Sequence, residues 1–285
     1  MNQDISICVL TENEMGWTEP FELDKVQILD NYYLSAQKSD IAFLKKMDTA
    51  RLLAGFRTTA GIDTKGVRPY GGWEDSLLGG HCVGHYLTAL AQAVKVTGDK
   101  ELKEKSQTLI AGLEECQKKL GTGFLFGAKV EDKEDVEKQF DILEGKKKGE
   151  TWVPWYNMHK VLAGLVDTYK YTGNETALLV AEKLGDWIYE RVSKWDLKTN
   201  QKVLETEYGG MNDCLYELYS HSHNKHHLEA AQKFDEKALF LMAAKGEKNC
   251  LDGKHANTQI PKFIGAIKRY NVLKQLGEAK QEDEA

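Results

Sequence analysis

The turn Thr97-Gly98-Asp99 returns as Thr172-Gly173-Asn174, each time between a long apolar-periodic run and a second run that leads back. Glycine readily takes the left-handed conformation that closes a helix, so both turns read as the bends of helical hairpins. Tyr169, Tyr219 and Tyr270 stand 50 and 51 residues apart, each near the end of a helix. A period near 50 with two helices per unit predicts an all-α fold of stacked hairpins, either an open solenoid or a closed α/α toroid. Closure takes about six pairs, and the chain holds four plausible hairpins plus a helix over 257–275 with no partner after it.

In order, residues 1–21 read as an irregular arm. Val26, Leu29, Tyr32, Tyr33 and Ala36 then mark one helix, and Ile41, Leu44, Met47, Leu52 and Leu53 mark the next, forming an αα-hairpin. Residues 58–73, with Gly61, Gly66, Pro69, Gly71 and Gly72, form a loop by composition. A helix runs through His85 to Thr97 and its return partner spans 102–120. Residues 121–148 are the longest irregular insertion, with one short helix near 136–143. The helix carrying His159 runs to Thr172 and returns over 175–194. Residues 22–275 are expected to form one barrel domain. The acidic stretch 276–285 has no apolar face and is expected to fray.

Composition narrows the function classes. With 41% apolar residues among 285 the chain can bury a large core, and 38 basic against 44 acidic residues leave no clustered positive charge for nucleic acid. No apolar run approaches the ~18 residues of a membrane span, and the first residues lack a secretory signal, so a cytoplasmic protein is expected. Cys8, Cys82, Cys116, Cys214 and Cys250 are widely spaced without a Cys-x-x-Cys pair, which points to reduced thiols.

The chemistry gathers at helix starts. Gly79-Gly80-His81-Cys82-Val83-Gly84-His85, Trp155-Tyr156-Asn157-Met158-His159, Gly209-Gly210-Met211-Asn212-Asp213 and His255-Ala256-Asn257-Thr258 each open an apolar-periodic run. Helix N-termini offer free N–H groups and a partial positive potential, which suits a hydroxyl-rich ligand or an anion. Trp73, Trp155 and Tyr156 could face a sugar ring, while His81, His85, His159, Asn212, Asp213, His255 and Asn257 could supply hydrogen bonds. Structural readings compete at many of these positions. His81 and His85 lack the intervening His-Glu-x-x-His pattern, so no metal is expected there. His221, His223, His226 and His227 read as a solvated turn. Tyr169, Tyr219 and Tyr270 read as packing residues, and Cys82 and Cys214 as small hydrophobes. Asn212 and Thr258 read as helix caps, and Pro261 as a first-turn proline.

Taken together, Gly71-Gly72-Trp73-Glu74, Gly80-His81-Cys82-Val83-Gly84-His85-Tyr86-Leu87, Tyr156-Asn157-Met158-His159-Lys160 with Gly164-Leu165, Gly209-Gly210-Met211-Asn212 and His255 through Lys262 follow one another in the order of a known family. Over residues 20–275 the chain resembles glycoside hydrolase family 127, the β-L-arabinofuranosidase-like family. That resemblance implies an (α/α)6 barrel, retaining exo-hydrolysis of β-L-arabinofuranosides or related sugars, and a pocket of histidines and aromatics. His159 and His255 match its sugar-contacting histidines; His81, His85, Trp73, Tyr156 and Asn257 fall in matching pocket motifs. The family's zinc-binding Glu-x-Cys pair, adjacent cysteines with the nucleophile, and acid/base glutamate lie beyond the last matched motif. The chain is therefore expected to be the N-terminal part of such a barrel, with no zinc ligands or catalytic residues assigned and with self-association or a missing half covering its open end. A carbohydrate-binding partial barrel and an α-solenoid scaffold stand as the alternatives.

Overall fold

The computed structural model describes residues 21–130, 132–247 and 250–278. Of the irregular arm assigned to residues 1–21, all but Phe21 lies outside them, as does most of the acidic tail, 279–285. Among the described residues all regular structure is helical, and no helix is long and apolar enough to cross a membrane.

Helix α1 (Asn31–Lys46) is continuous through Ile41 and Leu44, which the apolar spacing had placed in a second helix. Nothing between 36 and 41 breaks a helix. The break comes at Asp48, whose carboxylate accepts from the Ala50 N–H at 2.8 Å and so starts α2 (Thr49–Thr59). The expected packed face of α1 is not packed: none of its residues is buried, and Tyr32 is 77% exposed. Only its C-terminal Ile41 and Leu44, with the adjoining Met47, lean on the core.

Three hairpins follow. They are α3 (His81–Thr97) with α4 (Lys100–Leu120), α6 (Pro154–Thr172) with α7 (Glu175–Val192), and α9 (Met211–Ser222) with α10 (Lys225–Gln232). Gly98 and Gly173 close their helices at φ 66° and 68°, and Asp99 and Asn174 cap the helices that follow. The third unit does the same with His223 at φ 51° and Asn224 as the cap. Short helices α5 (Lys138–Leu143), α8 (Leu197–Leu204) and α11 (Lys237–Ala244) fill the connections, and α12 (Ala256–Gln275) ends the series. The first members α3, α6, α9 and α12 pack in succession as one row, and α4, α7 and α10 form the second, with α2 against α4. This is an arc of an α/α toroid of helical hairpins.

Two close crossings set the spacing of the first row. A Cβ on Gly84 would be driven into the Lys160 carbonyl, and one on Gly164 would come 2.8 Å from the Gly84 Cα, so α3 and α6 touch backbone to backbone. At the α9–α12 crossing, Gly265 makes room for the Asn212 carboxamide. Asn212 is therefore no helix cap. It is fully buried and donates to the Lys262 carbonyl at 3.2 Å and to Asp235 at 3.3 Å, bridging α9 to α12.

Other expectations are corrected in the same region. Thr258 lies inside the first turn of α12, whose cap position is His255. Pro261 sits a turn deeper than the N-terminal position and leaves the Asn257 carbonyl without its i+4 donor. Along α12, Val272 is buried and Phe263 packs on Phe240 at 5.5 Å, whereas Ile264 and Ile267 are exposed together with Ile260. The histidine cluster is a solvated turn only in part: His223 and His226 are exposed, and His227 is not. His227 is completely buried with its Nδ1 2.7 Å from the Ser222 hydroxyl, and His226 stacks on Tyr189 at 4.0 Å. Glu278, at the start of the acidic tail, is held by the Tyr219 hydroxyl at 2.8 Å and by Lys225 at 2.7 Å.

A polar ladder joins the four first-row helices. Thr88 donates to Asp167 at 2.7 Å, Lys170 reaches Glu217 at 2.7 Å, and Lys268 from α12 pairs with the other oxygen of Glu217. Burial disfavours the Glu217 charge, but nearby His221, 3.6 Å away, and the bonds from Lys170 and Lys268 outweigh it and hold the carboxyl well below the usual range. A folded-state pKa below the unfolded one contributes stability above the unfolded pKa and loses it as pH falls through the folded one. Glu217→Gln is expected to lower stability by about 2 kcal/mol at pH 7. The melting-temperature gap to wild type should narrow steadily below pH 4.5; a gap independent of pH would refute the ion-pair role.

Candidate functional site

The site begins with a helix start that cannot cap itself. Gly80 precedes α3 at φ 95° and has no side chain to offer the first N–H groups. Glu74, from the 3-10 turn Gly72–Asp75, reaches across and supplies the missing acceptor. Its carboxylate accepts from the Gly80 N–H at 2.9 Å and the Cys82 N–H at 3.2 Å, and pairs with His81 Nδ1 at 2.8 Å. Asn157 of α6 donates to the carbonyls of Leu78 and Gly79, fixing the same turn from the other side.

These contacts orient the His81 ring. Nδ1 also lies 3.0 Å from the Leu78 carbonyl, which only accepts, so Nδ1 carries a proton. Nε2 faces Cys82 Sγ at 3.8 Å. Burial works against the charged ring, yet the bonds to Cys82 and Glu74 prevail and raise His81 to about 10. Glu74 moves the opposite way: burial opposes its charge, and the bonds from His81 and the Gly80 N–H lower its pKa nonetheless.

Around this pair stands a group of rings. Trp73, 66% exposed, lies 6.3 Å from His81 between ring centroids, Tyr156 lies 6.3 Å away, and His85 meets His81 edge-on at 6.1 Å. Lys160 Nζ sits 4.6 Å over the Tyr156 ring. Burial, then the charges of Lys160 and His81, push the His85 pKa down. Burial also lowers Lys160. Asn257 stands beside Tyr156 and donates to Glu207 at 3.3 Å, bringing the start of α12 to the start of α6.

His159 lies one turn farther along α6, in a tighter setting. The Gly210 N–H donates to its Nδ1 at 3.0 Å, and Gly209, at φ 60°, leaves no room for a Cβ beside that nitrogen. Burial holds His159 well below its ordinary pKa, so the ring is neutral with its proton on Nε2. His255 is exposed at the cap position of α12 and makes no cap hydrogen bond. Of the residues singled out by sequence, the structure thus gathers Trp73, His81, His85 and Tyr156, with Asn257 joined through Tyr156, His159 buried beneath, and His255 outermost.

Sequence reasoning gave Glu74, Cys82 and Lys160 no role at the site. For Glu74 a signal existed: a helix opening on Gly-Gly needs an acceptor from elsewhere, and an acidic residue six positions earlier is within reach. The metal donors implied by resemblance have one literal counterpart among these residues, the spacing Glu114-Glu115-Cys116 in α4. Cys116 is completely buried and its thiol is pushed by burial up to about 12, so it does not fit a metal. Among the described residues, the one group of three such donors that comes together is Glu74, His81 and Cys82, with ligand atoms within 4.8 Å of one another.

Residues 25–283 match a family described as "Beta-L-arabinofuranosidase, GH127 catalytic domain". Among solved structures, a GH127 β-L-arabinofuranosidase from Geobacillus stearothermophilus T6 is similar with a TM-score of 0.50 at 17% identity. The match covers 92% of this chain and 41% of that enzyme, and at such identity it speaks for the shared fold. No curated protein matches the chain.

Proposed function

The chain belongs to the β-L-arabinofuranosidase GH127 catalytic-domain family, and from that premise we propose that it serves the hydrolysis of β-L-arabinofuranosides or closely related furanosides. Residues 22–275 act as one unit of that domain. The observation that carries the reading is the rim formed by Trp73, His81, His85, Tyr156 and Lys160 where α3 and α6 begin. An exposed indole and a phenol supply flat apolar faces for a sugar ring. Imidazole, ammonium and carboxamide groups beside them match its hydroxyls.

Cleavage with retention takes one group to protonate the leaving oxygen and one to attack the anomeric carbon. Glu74, the buried carboxylate next to the rings, is committed to two backbone N–H groups and His81. That commitment favours binding without turnover as the second reading. Calorimetric titration with methyl β-L-arabinofuranoside, run beside release of an aryl leaving group from the same sugar, separates the two. Binding is expected in both cases. Trp73→Ala should weaken it about tenfold, or about 1.4 kcal/mol. Undiminished affinity in that variant, or affinity equal for a hexopyranoside, would remove the rim from sugar recognition.

A further inference from the structure

We propose that His81 Nε2 and Cys82 Sγ form the seat of a thiophilic divalent cation such as Zn2+, with Glu74 as the positioning residue behind the imidazole. None of the donors implied by the family resemblance takes part; the seat shares His81 with the sugar-facing rim, but cation binding there does not depend on sugar binding.

The geometry argues for it in three steps. First, Nε2 and Sγ lie 3.8 Å apart. A tetrahedral zinc with Zn–N of about 2.0 Å and Zn–S of about 2.3 Å holds these atoms about 3.5 Å apart, so little movement is needed. Second, the other ring nitrogen is already occupied as in metal-binding histidines, where Nδ1–H is given to a carboxylate or carbonyl. Here it goes to both, Glu74 at 2.8 Å and Leu78 at 3.0 Å. Third, access is graded correctly. Glu74 and His81 are 8% and 7% exposed, while Cys82 is half-buried and reachable.

A third donor stands on the same face of α3. His85 is one turn on from His81, is exposed, and lies edge-on to it at 6.1 Å. On binding, the Nε2 proton of His81 and the thiol proton of Cys82 both pass to solvent, and metal–nitrogen and metal–sulfur bonds replace the N–H and S–H bonds.

The test is Co2+ titration of the full chain in a non-thiol reductant, read by optical absorption. One equivalent should produce a sulfur-to-cobalt charge-transfer band in the near ultraviolet. Cys82→Ser should abolish that band, while Cys116→Ser and Cys214→Ser retain it. Glu74→Gln should keep the band and weaken Co2+ affinity at least tenfold. A second measurement needs no variant: saturating Zn2+ should protect Cys82 of the native chain from iodoacetamide, as read by peptide mass mapping. Absence of the band, its persistence in Cys82→Ser, or alkylation of Cys82 at the metal-free rate would each overturn the proposal. Unchanged affinity in Glu74→Gln would remove Glu74 from it.

Discussion

Gly84→Ala is expected to destabilise the chain more than any other one-methyl change in the first row of helices. A Cβ at position 84 would be driven into the Lys160 carbonyl and would stand 2.7 Å from the Val161 nitrogen. Both obstacles are backbone atoms of α6, so no flexible side chain can move aside. The reciprocal position is closed too, though less tightly, because a Cβ on Gly164 would come 2.8 Å from the Gly84 Cα. Relief requires α3 and α6 to separate, which opens the core around Val83, Leu87, Val161 and Leu165, all buried. Overpacking of this kind costs about 3 kcal/mol or more, since the clash is with main chain. For a chain of this size that corresponds to a melting temperature lower by about 6–12 °C. Gly71→Ala is the control: φ there is −70° and nothing lies within 4 Å of its added Cβ, so the melting temperature should hold. Equal melting temperatures for Gly84→Ala and wild type would show that the two helices are not in backbone contact.

Arg191→Met is the second large effect, and it acts on the insertion between the first and second hairpins. The guanidinium of α7 binds three carboxylates at once: Glu137 at 2.9 Å, Asp141 at 2.5 Å and Glu144 at 2.6 Å. Glu144 and Arg191 side chains are almost wholly removed from solvent. The site sits on aromatic packing, with Phe140 and Trp187 rings 5.3 Å apart and Trp155 4.9 Å from Phe140. Removing the cation leaves like charges crowded in a poorly solvated place. Lys146 and Lys147 neutralise part of it from the outside. Breaking a buried ion pair from one side costs about 3–5 kcal/mol, and the lower end applies here because of those lysines. The expected readout is a fall in melting temperature together with new protease cleavage within 129–150. Arg191→Lys should restore less than half of the loss, because an ammonium cannot replace a fork that serves three partners. Full restoration by lysine would reduce the cluster to a matter of net charge.

The helix boundaries show what was legible without coordinates. Gly98 and Gly173 mark true helix ends, and the third unit repeats the device with His223-Asn224. The order of motifs from Trp73 to Lys262 sufficed to indicate the family. Where the reading failed, it failed at contacts between segments distant in sequence. His227 carries no local sign that its ring is covered by Ser222 and the Glu182 carbonyl. Tyr32 and Tyr33 have helical spacing with core residues and still face outward, because no element among the described residues comes to cover them.

What the amino-acid order determined by itself is therefore local and periodic: where helices start and stop, which stripe of each is apolar, and that hairpins repeat. These follow from backbone preferences and side-chain spacing within one turn or two. Only the tertiary structure decided that Glu74 caps a helix it does not belong to, that Asn212 spans two helices, and that His81 turns its Nε2 toward Cys82. Each depends on the distance between groups that the chain separates, and that distance exists only once the helices have packed.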